Sequence, residues 1–86
     1  MKPRPPIEHD LKCWPEPFEL IRSGFKPWEF RRNDRDYQEG DTLMLREWCP
    51  KTQSYLGRAV TRRVILVFRG GFEIPEGYVI MTLVEE

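Results

Sequence analysis

Apolar and polar residues alternate along several short segments of the chain, a pattern typical of β-strands with one buried face. The alternation predicts five strands, at residues 7–14, 28–32, 42–48, 57–69 and 78–84. In the second of these, Trp28 and Phe30 share one face, whereas Glu29 and Arg31 share the other. Residues 64–68 of the fourth strand are apolar on both faces. We therefore expect a fold built mainly from strands.

One helix is predicted directly after the first strand. Pro15 and Pro17 fit the first helical turn, where the missing N–H of proline would have no partner in any case. Glu16 lies near the positive end of the helix dipole and Arg22 near its negative end. Gly24 suits the left-handed residue that often follows a helix. The spacing therefore predicts a helix of about nine residues.

Five strands and one short helix indicate a small α+β domain whose sheet curls into a barrel. Parallel pairing needs long crossover connections, and a single helix can supply few of them. The 86 residues suffice for one domain, which we place at residues 7–86. Pro3, Pro5 and Pro6 predict a flexible, proline-rich leader over residues 1–6. Two of the three tryptophans are expected in the core.

Charge is balanced overall but unevenly distributed. Lys and Arg number 14, as do Asp and Glu. Residues 22–35 nevertheless contain five basic and two acidic side chains, and residues 58–69 contain four arginines and no acid. Such segregation creates a positive face that suits an anionic partner. The same residues could equally be solvated and paired with nearby carboxylates, so both interpretations stay open.

Composition argues against several classes of protein. The mean hydropathy is −0.62, and the apolar run at 64–68 is far shorter than the roughly 20 residues of a membrane span. No apolar segment follows the basic N-terminus, so a signal peptide is not expected. Two cysteines and the single His9 predict neither a disulfide scaffold nor a metal site. We expect a cytoplasmic monomer or weak dimer without metal or cofactor.

The segment from the predicted helix to the second strand contains the main candidate site. Glu29 and Arg31 project from one face of the strand, and Lys26 precedes them in the link. Lys26 would supply a point charge, Arg31 a bidentate fork for phosphate, and Glu29 an acceptor for the exocyclic amine of a base. The alternative is a structural ion pair that braces the corner between helix and strand.

Other residues are further candidates for contact with a ligand. Arginines near this segment and in the second basic segment could bind phosphates, and Trp28 or Trp48 could stack on a base. His9 either lines the same cleft or is a hydrogen-bonded imidazole of the core. The candidates outside the trio of Lys26, Glu29 and Arg31 are His9, Lys12, Arg32, Arg35 and Arg58.

The pattern G-x-K-x-x-E-x-R, formed by Gly24, Lys26, Glu29 and Arg31, resembles the signature of the ASCH domains, a branch of the PUA-like superfamily. A longer series of residues is similar to DUF3850, a family of small phage and bacterial ASCH-like domains. That series runs from His9-x-Leu11-Lys12-x-Trp14-Pro15 to Gly77-Tyr78-Val79. The resemblance implies a PUA-like β-barrel with the helix across one opening and, for a phage protein, a location in the host cytoplasm.

The same resemblance implies a function. PUA-like domains commonly bind RNA or modified bases, so a module that binds single-stranded RNA or a modified nucleotide beside the helix is expected. Some ASCH proteins are instead amidohydrolases that remove an acyl group from N4-acetylcytidine with a lysine, a threonine and a glutamate. Lys26 matches that lysine, but Glu29 stands where threonine is expected, so hydrolysis would require Lys26 and Glu29 to activate water. A phage protein-interaction module is a third alternative.

Overall fold

Five strands and one helix occur in the residues that the computed structural model describes, 4–71 and 73–85. They are β1 (Glu8–Cys13), α1 (Pro15–Arg22), β2 (Trp28–Arg32), β3 (Thr42–Cys49), β4 (Ser54–Phe68) and β5 (Tyr78–Val84). The bounds of β2 and β5 are those predicted, and the start of β4, three residues early, is the largest difference. The α+β class with five strands and one short helix is confirmed. No helix among the described residues has the length and apolarity to cross a membrane.

The strands form one mixed sheet in the order β1-β3-β4-β5-β2. The pairs β2–β5, β5–β4 and β4–β3 are antiparallel. β1 pairs with β3 in parallel, with Leu11 opposite Leu45. The single predicted helix favours little parallel pairing, but the connection over residues 14–41 contains both α1 and β2 and is long enough for the crossover.

α1 covers the inner face of the sheet and completes the core. Phe18 and Ile21, three positions apart and so on one side of the helix, are both buried. They belong to one cluster with the inward-facing residues of the strands and with Tyr37 from the loop before β3. The strand residues of this cluster are Leu11, Cys13, Leu43, Leu45, Val64, Val79, Met81 and Leu83.

β1 and β2 are the outer strands of the sheet, and side chains rather than a backbone ladder connect them. Arg31 of β2 donates from Nη2 to the carbonyl oxygen of Lys12 on β1 at 2.6 Å. Arg35 donates from Nη1 to the carbonyl oxygen of Asp10 at 3.2 Å. The sheet therefore curves enough to bring its two edges together, and full closure into a barrel stays a prediction.

In β2 the face that carries Glu29 is turned inwards and the face that carries apolar residues is exposed, which is the reverse of the usual arrangement. Glu29 is 5% exposed, whereas its apolar neighbours Trp28 and Phe30 are 42% and 44% exposed. The prediction that two of the three tryptophans are core residues is wrong, since Trp14 is 61% exposed and Trp48 only partly buried. Because Lys26 and Arg31 form ion pairs with Glu29, the inner side of β2 accommodates a carboxylate better than an indole.

The predicted leader falls partly outside the described residues. Residues 1–3 are not described, and residues 4–6 lead into β1. Arg4 donates from Nη1 and Nη2 to the two carboxylate oxygens of Asp41, each at 2.8 Å. Arg4 is thus connected to the domain by a bidentate ion pair.

Candidate functional site

An open cleft of about 440 Å³ lies where the edges of the sheet meet. The end of β1, the start of α1, β2 and the loop after β2 supply its walls. Charged side chains dominate this lining, five of them basic and two acidic, which gives a local charge of about +3. The basic residues are Lys12, Lys26, Arg31, Arg32 and Arg35, and the acidic ones are Glu29 and Asp34. The cleft is therefore positive although the chain carries no net charge.

The predicted trio meets at one wall of the cleft. The Oε2 atom of Glu29 accepts a hydrogen bond from Arg31 Nε at 2.6 Å, and Oε1 lies 3.7 Å from Lys26 Nζ. Glu29 is nearly buried, whereas the side chains of Lys26 and Arg31 are 19% and 25% exposed. The trio thus forms the mutual ion pairs of the structural interpretation and also borders an open cavity, and its role in binding a ligand stays a prediction.

Local backbone geometry places the three charges. Gly24 ends the helix with φ +87°, a left-handed conformation that a side chain would strain. The chain then turns back, and the Lys26 amide donates to the carbonyl oxygen of Leu20 at 2.9 Å. Because side chains alternate along a strand, Glu29 and Arg31 both point to the inner side of β2. The helix end and the strand register together define the wall.

The other basic residues of the cleft are more exposed than the trio. Lys12, Arg32 and Arg35 are all solvent-exposed. Lys12 Nζ lies 4.0 Å above the ring of Trp48, and Arg32 Nη2 donates to the hydroxyl of Tyr78 at 3.4 Å. These side chains place positive charge at the mouth of the cleft, where a bound anion could reach it.

His9 is a core residue and does not line the cleft. Its side chain is 4% exposed, Nε2 lies 2.8 Å from Oδ2 of Asp41, and the ring packs edge-on against Tyr37 at 4.7 Å between centroids. Burial alone would raise the pKa of Asp41, but hydrogen bonds from Arg4, His9 and two backbone amides hold that pKa well below its usual range. Of the two alternatives for His9, the structure adopts the hydrogen-bonded imidazole.

Arg58 also lies away from the cleft. Its Nε and Nη2 atoms donate to the two carboxylate oxygens of Glu47 at 2.9 and 3.1 Å, and these hydrogen bonds lower the pKa of Glu47. Arg58 Nη1 lies 3.4 Å from Glu19. Within the same basic segment, Arg69 donates from Nη2 to the carbonyl oxygen of Tyr37. The structure therefore does not bring the second basic segment to the cleft lining.

The two cysteines differ in environment. Cys13 lines the cleft at 3% exposure, and burial raises the pKa of its thiol to about 11. Cys49 is partly buried outside this cleft, and hydrogen bonds from Thr52 and Lys51 lower its pKa. Cys13 is therefore a thiol at neutral pH and not an activated nucleophile. Among residues 4–71 and 73–85, no group of three or more His, Cys, Asp or Glu side chains could hold a metal ion.

Sequence reasoning missed the aromatic part of the lining. Trp14, Phe30 and Tyr37 all border the cleft, as does Asp34. Trp14 immediately precedes Pro15 and ends up 61% exposed. Alternation in β2 places Phe30 on the face opposite to Glu29, so the pattern did not indicate that Phe30 would border the same cleft. Nothing in the pattern indicated that Tyr37 would reach the cleft.

Comparison with known proteins shows the family of the chain. The family described as "Domain of unknown function (DUF3850)" matches residues 8–83, which include every residue of the cleft lining, and the chain belongs to this family. The chain is also similar to an "Uncharacterized 12.9 kDa protein in GpA 3'region" from Escherichia phage P2. The identity is 41% over 56 residues, which are 65% of this chain and 50% of that protein. The alignment thus spans about half the length of this curated relative.

Proposed function

We propose that this member of the DUF3850 family is a binding module for single-stranded RNA or a modified nucleotide, with the ligand in the cleft between β1 and β2. One observation carries the proposal: five basic side chains border a single open cleft in a chain of zero net charge. Since the cleft accounts for about +3, the rest of the chain carries about −3. An anionic ligand is therefore attracted to this face.

Lys12, Arg32 and Arg35 are assigned to phosphates. All three are exposed at the mouth of the cleft, so they can bind an anion without first breaking a buried ion pair. Arg31 differs, because its Nε and Nη2 atoms already bind Glu29 and the carbonyl oxygen of Lys12. We therefore assign Arg31 to the shape and charge of the wall rather than to the bidentate phosphate contact expected from the sequence.

Glu29 is assigned to recognition of a base. A carboxylate oxygen has more than one acceptor direction, so Glu29 can accept a hydrogen bond from an exocyclic amine while its ion pairs persist. Lys26, 3.7 Å away, could donate to a ring nitrogen or carbonyl oxygen of the same base. The rings of Trp14 and Phe30 border the same space and offer apolar faces for stacking.

The resemblance to ASCH and PUA-like domains supports the same location. We infer that the sheet is a PUA-like barrel left open along the line where β1 and β2 meet. The bond from Arg31 to Lys12 and the bond from Arg35 to Asp10 span that line. The cleft would then be the opening of the barrel beside α1.

An amidohydrolase acting on a modified nucleoside is the second candidate function. The 3.7 Å separation of Lys26 Nζ and Glu29 Oε1 at the edge of a cavity favours it. Glu29 could take a proton from the attacking water while Lys26 stabilises the oxyanion that forms on the acyl carbonyl. Glu29 would then return that proton to the N4 amine as the C–N bond breaks, which gives cytidine and a carboxylic acid. The bond from Arg31 to Glu29 Oε2 weakens this candidate, because it withdraws electron density from the base.

Fluorescence anisotropy with labelled single-stranded oligonucleotides tests the binding function. We expect affinity at low salt, with log K falling by about 0.7 per neutralised phosphate against the logarithm of salt concentration. Arg35→Gln should reduce both the affinity and this slope, whereas Arg63→Gln, at an exposed arginine of β4 outside the cleft lining, is the matched control. Absence of binding to any oligonucleotide or nucleotide at low salt would reject the proposal.

Chromatography of a panel of N4-acylated cytidines tests the second candidate. Turnover that disappears in both Lys26→Ala and Glu29→Gln would support hydrolysis. Arg35→Gln is the control, since it changes the charge of the cleft without touching the pair. A panel that the protein leaves unchanged rejects this candidate.

A further inference from the structure

The outer face of the sheet is mainly apolar around β2, β5 and β4, and it is partly exposed to solvent. Ile80 of β5 lies between Phe30 of β2 and Phe68 of β4, and the three form one row across the strands. Trp28 of β2 lies in the next row of the same face. Thr82 lies between Trp28 and Leu66 in that row, and Leu66 is 50% exposed. α1 packs on the inner face with the core. An exposed apolar sheet face of this kind is a usual sign of a binding surface.

Aromatic rings and cations are ordered along the β2 side of this face. The rings of Phe30 and Tyr78 are stacked, with centroids 5.3 Å apart and planes at 16°. Arg32 lies 5.7 Å from the centre of the Tyr78 ring, and Lys26 Nζ lies 4.6 Å from that of Trp28. We call Lys26, Trp28, Phe30, Arg32 and Tyr78 the β2 strip. It has apolar rings in the middle and a positive charge at each end.

The spacing of the strip suits nucleobases. Trp28 and Phe30 are two positions apart on one strand, so their Cα atoms are about 6.7 Å apart. Successive stacked bases are about 3.4 Å apart, so rings held at the Cα spacing would leave room for one base between them. The cations at both ends match the phosphates on either side of such a base. A positively charged track with aromatic rings is how proteins bind single strands without sequence preference.

We infer that the β2 strip is a stacking platform for bases of single-stranded nucleic acid, and that it continues the cleft across the edge of the sheet. The inference rests on the proposed function of the cleft. Phe30 and Arg32 belong to both surfaces, and Lys26 contacts Glu29 in the cleft and Trp28 on the strip. Because β2 is an outer strand, a nucleic acid leaving the cleft crosses only one strand to reach the strip.

Charge favours a nucleic acid over a second copy of the chain as the occupant. Two copies related by a two-fold axis through this face would bring Lys26 and Arg32 of one copy towards the same cations of the other. Like charges that meet across an interface oppose association. A polyanion, in contrast, gains from both cations and both rings at once.

Binding of cytidine monophosphate and of oligocytidylates of two to four nucleotides tests the inference. The affinity for the mononucleotide reports binding in the cleft, and the gain in affinity with oligonucleotide length reports binding on the strip. The main variant is Trp28→Leu, because Trp28 does not line the cleft and leucine keeps the position apolar. Leu66→Ala, on the same face but two strands away, is the matched control.

We expect Trp28→Leu to lower tetranucleotide affinity by about 5- to 100-fold while mononucleotide affinity changes less than twofold. Leu66→Ala should change neither. A gain in affinity with oligonucleotide length that survives in Trp28→Leu overturns the inference. The same holds if light scattering shows a dimer of the chain that Trp28→Leu dissociates while that gain in affinity is intact. Oligonucleotide binding that depends on Trp28 without any mononucleotide binding would support the strip and contradict the cleft. Absence of binding to all of these probes would overturn both.

Discussion

Arg31 of β2 and Lys12 of β1 are joined by a 2.6 Å hydrogen bond between a guanidinium and a backbone carbonyl, although the two strands lie at opposite ends of the sheet order. The same guanidinium binds Glu29, which is 5% exposed. One side chain therefore connects the edges of the sheet and also balances a carboxylate that is almost removed from water. The cleft depends on both contacts.

We expect Arg31→Gln to lower the free energy of unfolding by about 2–4 kcal/mol, because Glu29 would keep its burial with only Lys26 at 3.7 Å for compensation. Urea denaturation measures this change. The double variant Glu29→Gln/Arg31→Gln should recover part of the loss, since it leaves no unpaired buried charge. Lys51→Gln, at an exposed position of the loop before β4, is the control. Equal losses in the single and double variants would show that the ion pair is not the cause.

Asp41 should make the domain sensitive to acid. Its folded pKa lies well below the unfolded value of about 3.9, so ionised Asp41 stabilises the fold above that value. The contribution is lost as pH falls from about 4 through the folded pKa. We expect Asp41→Asn to lower the free energy of unfolding by about 2–4 kcal/mol at pH 7 and to flatten the decline of this free energy below pH 4.

Thermal or urea unfolding at several pH values between 2 and 7 provides the measurement. Glu8→Gln, an exposed carboxylate on β1, is the control and should leave the profile close to that of the parent chain. An Asp41→Asn profile as steep as that of the parent would mean that other carboxylates govern acid unfolding.

The cysteines should react selectively. Burial raises the pKa of Cys13 to about 11, whereas hydrogen bonds lower the pKa of the partly buried Cys49. Because the thiolate is the nucleophile, iodoacetamide at pH 7.5 should label Cys49 first and Cys13 only after unfolding. Mass spectrometry of the folded and denatured chains distinguishes the two. Labelling of Cys13 in folded Cys49→Ser at the denatured rate would contradict its burial.

Glu29 should select bases that carry an exocyclic amine. We expect the chain to bind cytidine monophosphate more tightly than uridine monophosphate by about 5- to 150-fold, the range for a well-placed polar contact to a base. Glu29→Gln should reduce this preference, because an amide lacks the charge that strengthens the hydrogen bond. Calorimetry with the two nucleotides measures both. An unchanged preference in Glu29→Gln, with the fold intact by circular dichroism, would assign base recognition to other residues.

Periodicity in the sequence was sufficient for the elements of the fold. Pro15 and Gly24 delimit α1 through backbone geometry that is local to those residues, and alternation determined the extent of β2 and β5. The convergence of Lys26, Glu29 and Arg31 was also predictable, because two lie on one face of a strand and the third precedes it by two residues. These features depend on neighbours along the chain, so no tertiary information was needed.

Long-range placement was decided only by the tertiary structure. Alternation along β2 separates two faces but does not say which one is buried, and the structure buries Glu29 and exposes Trp28 and Phe30. His9 and Arg58 depend in the same way on distant partners, Asp41 and Glu47, that draw them away from the cleft. A one-dimensional pattern records which residues share a side of an element. Which side faces the core depends on how the sheet curves and on where opposite charges meet, and residues far apart in the chain determine both.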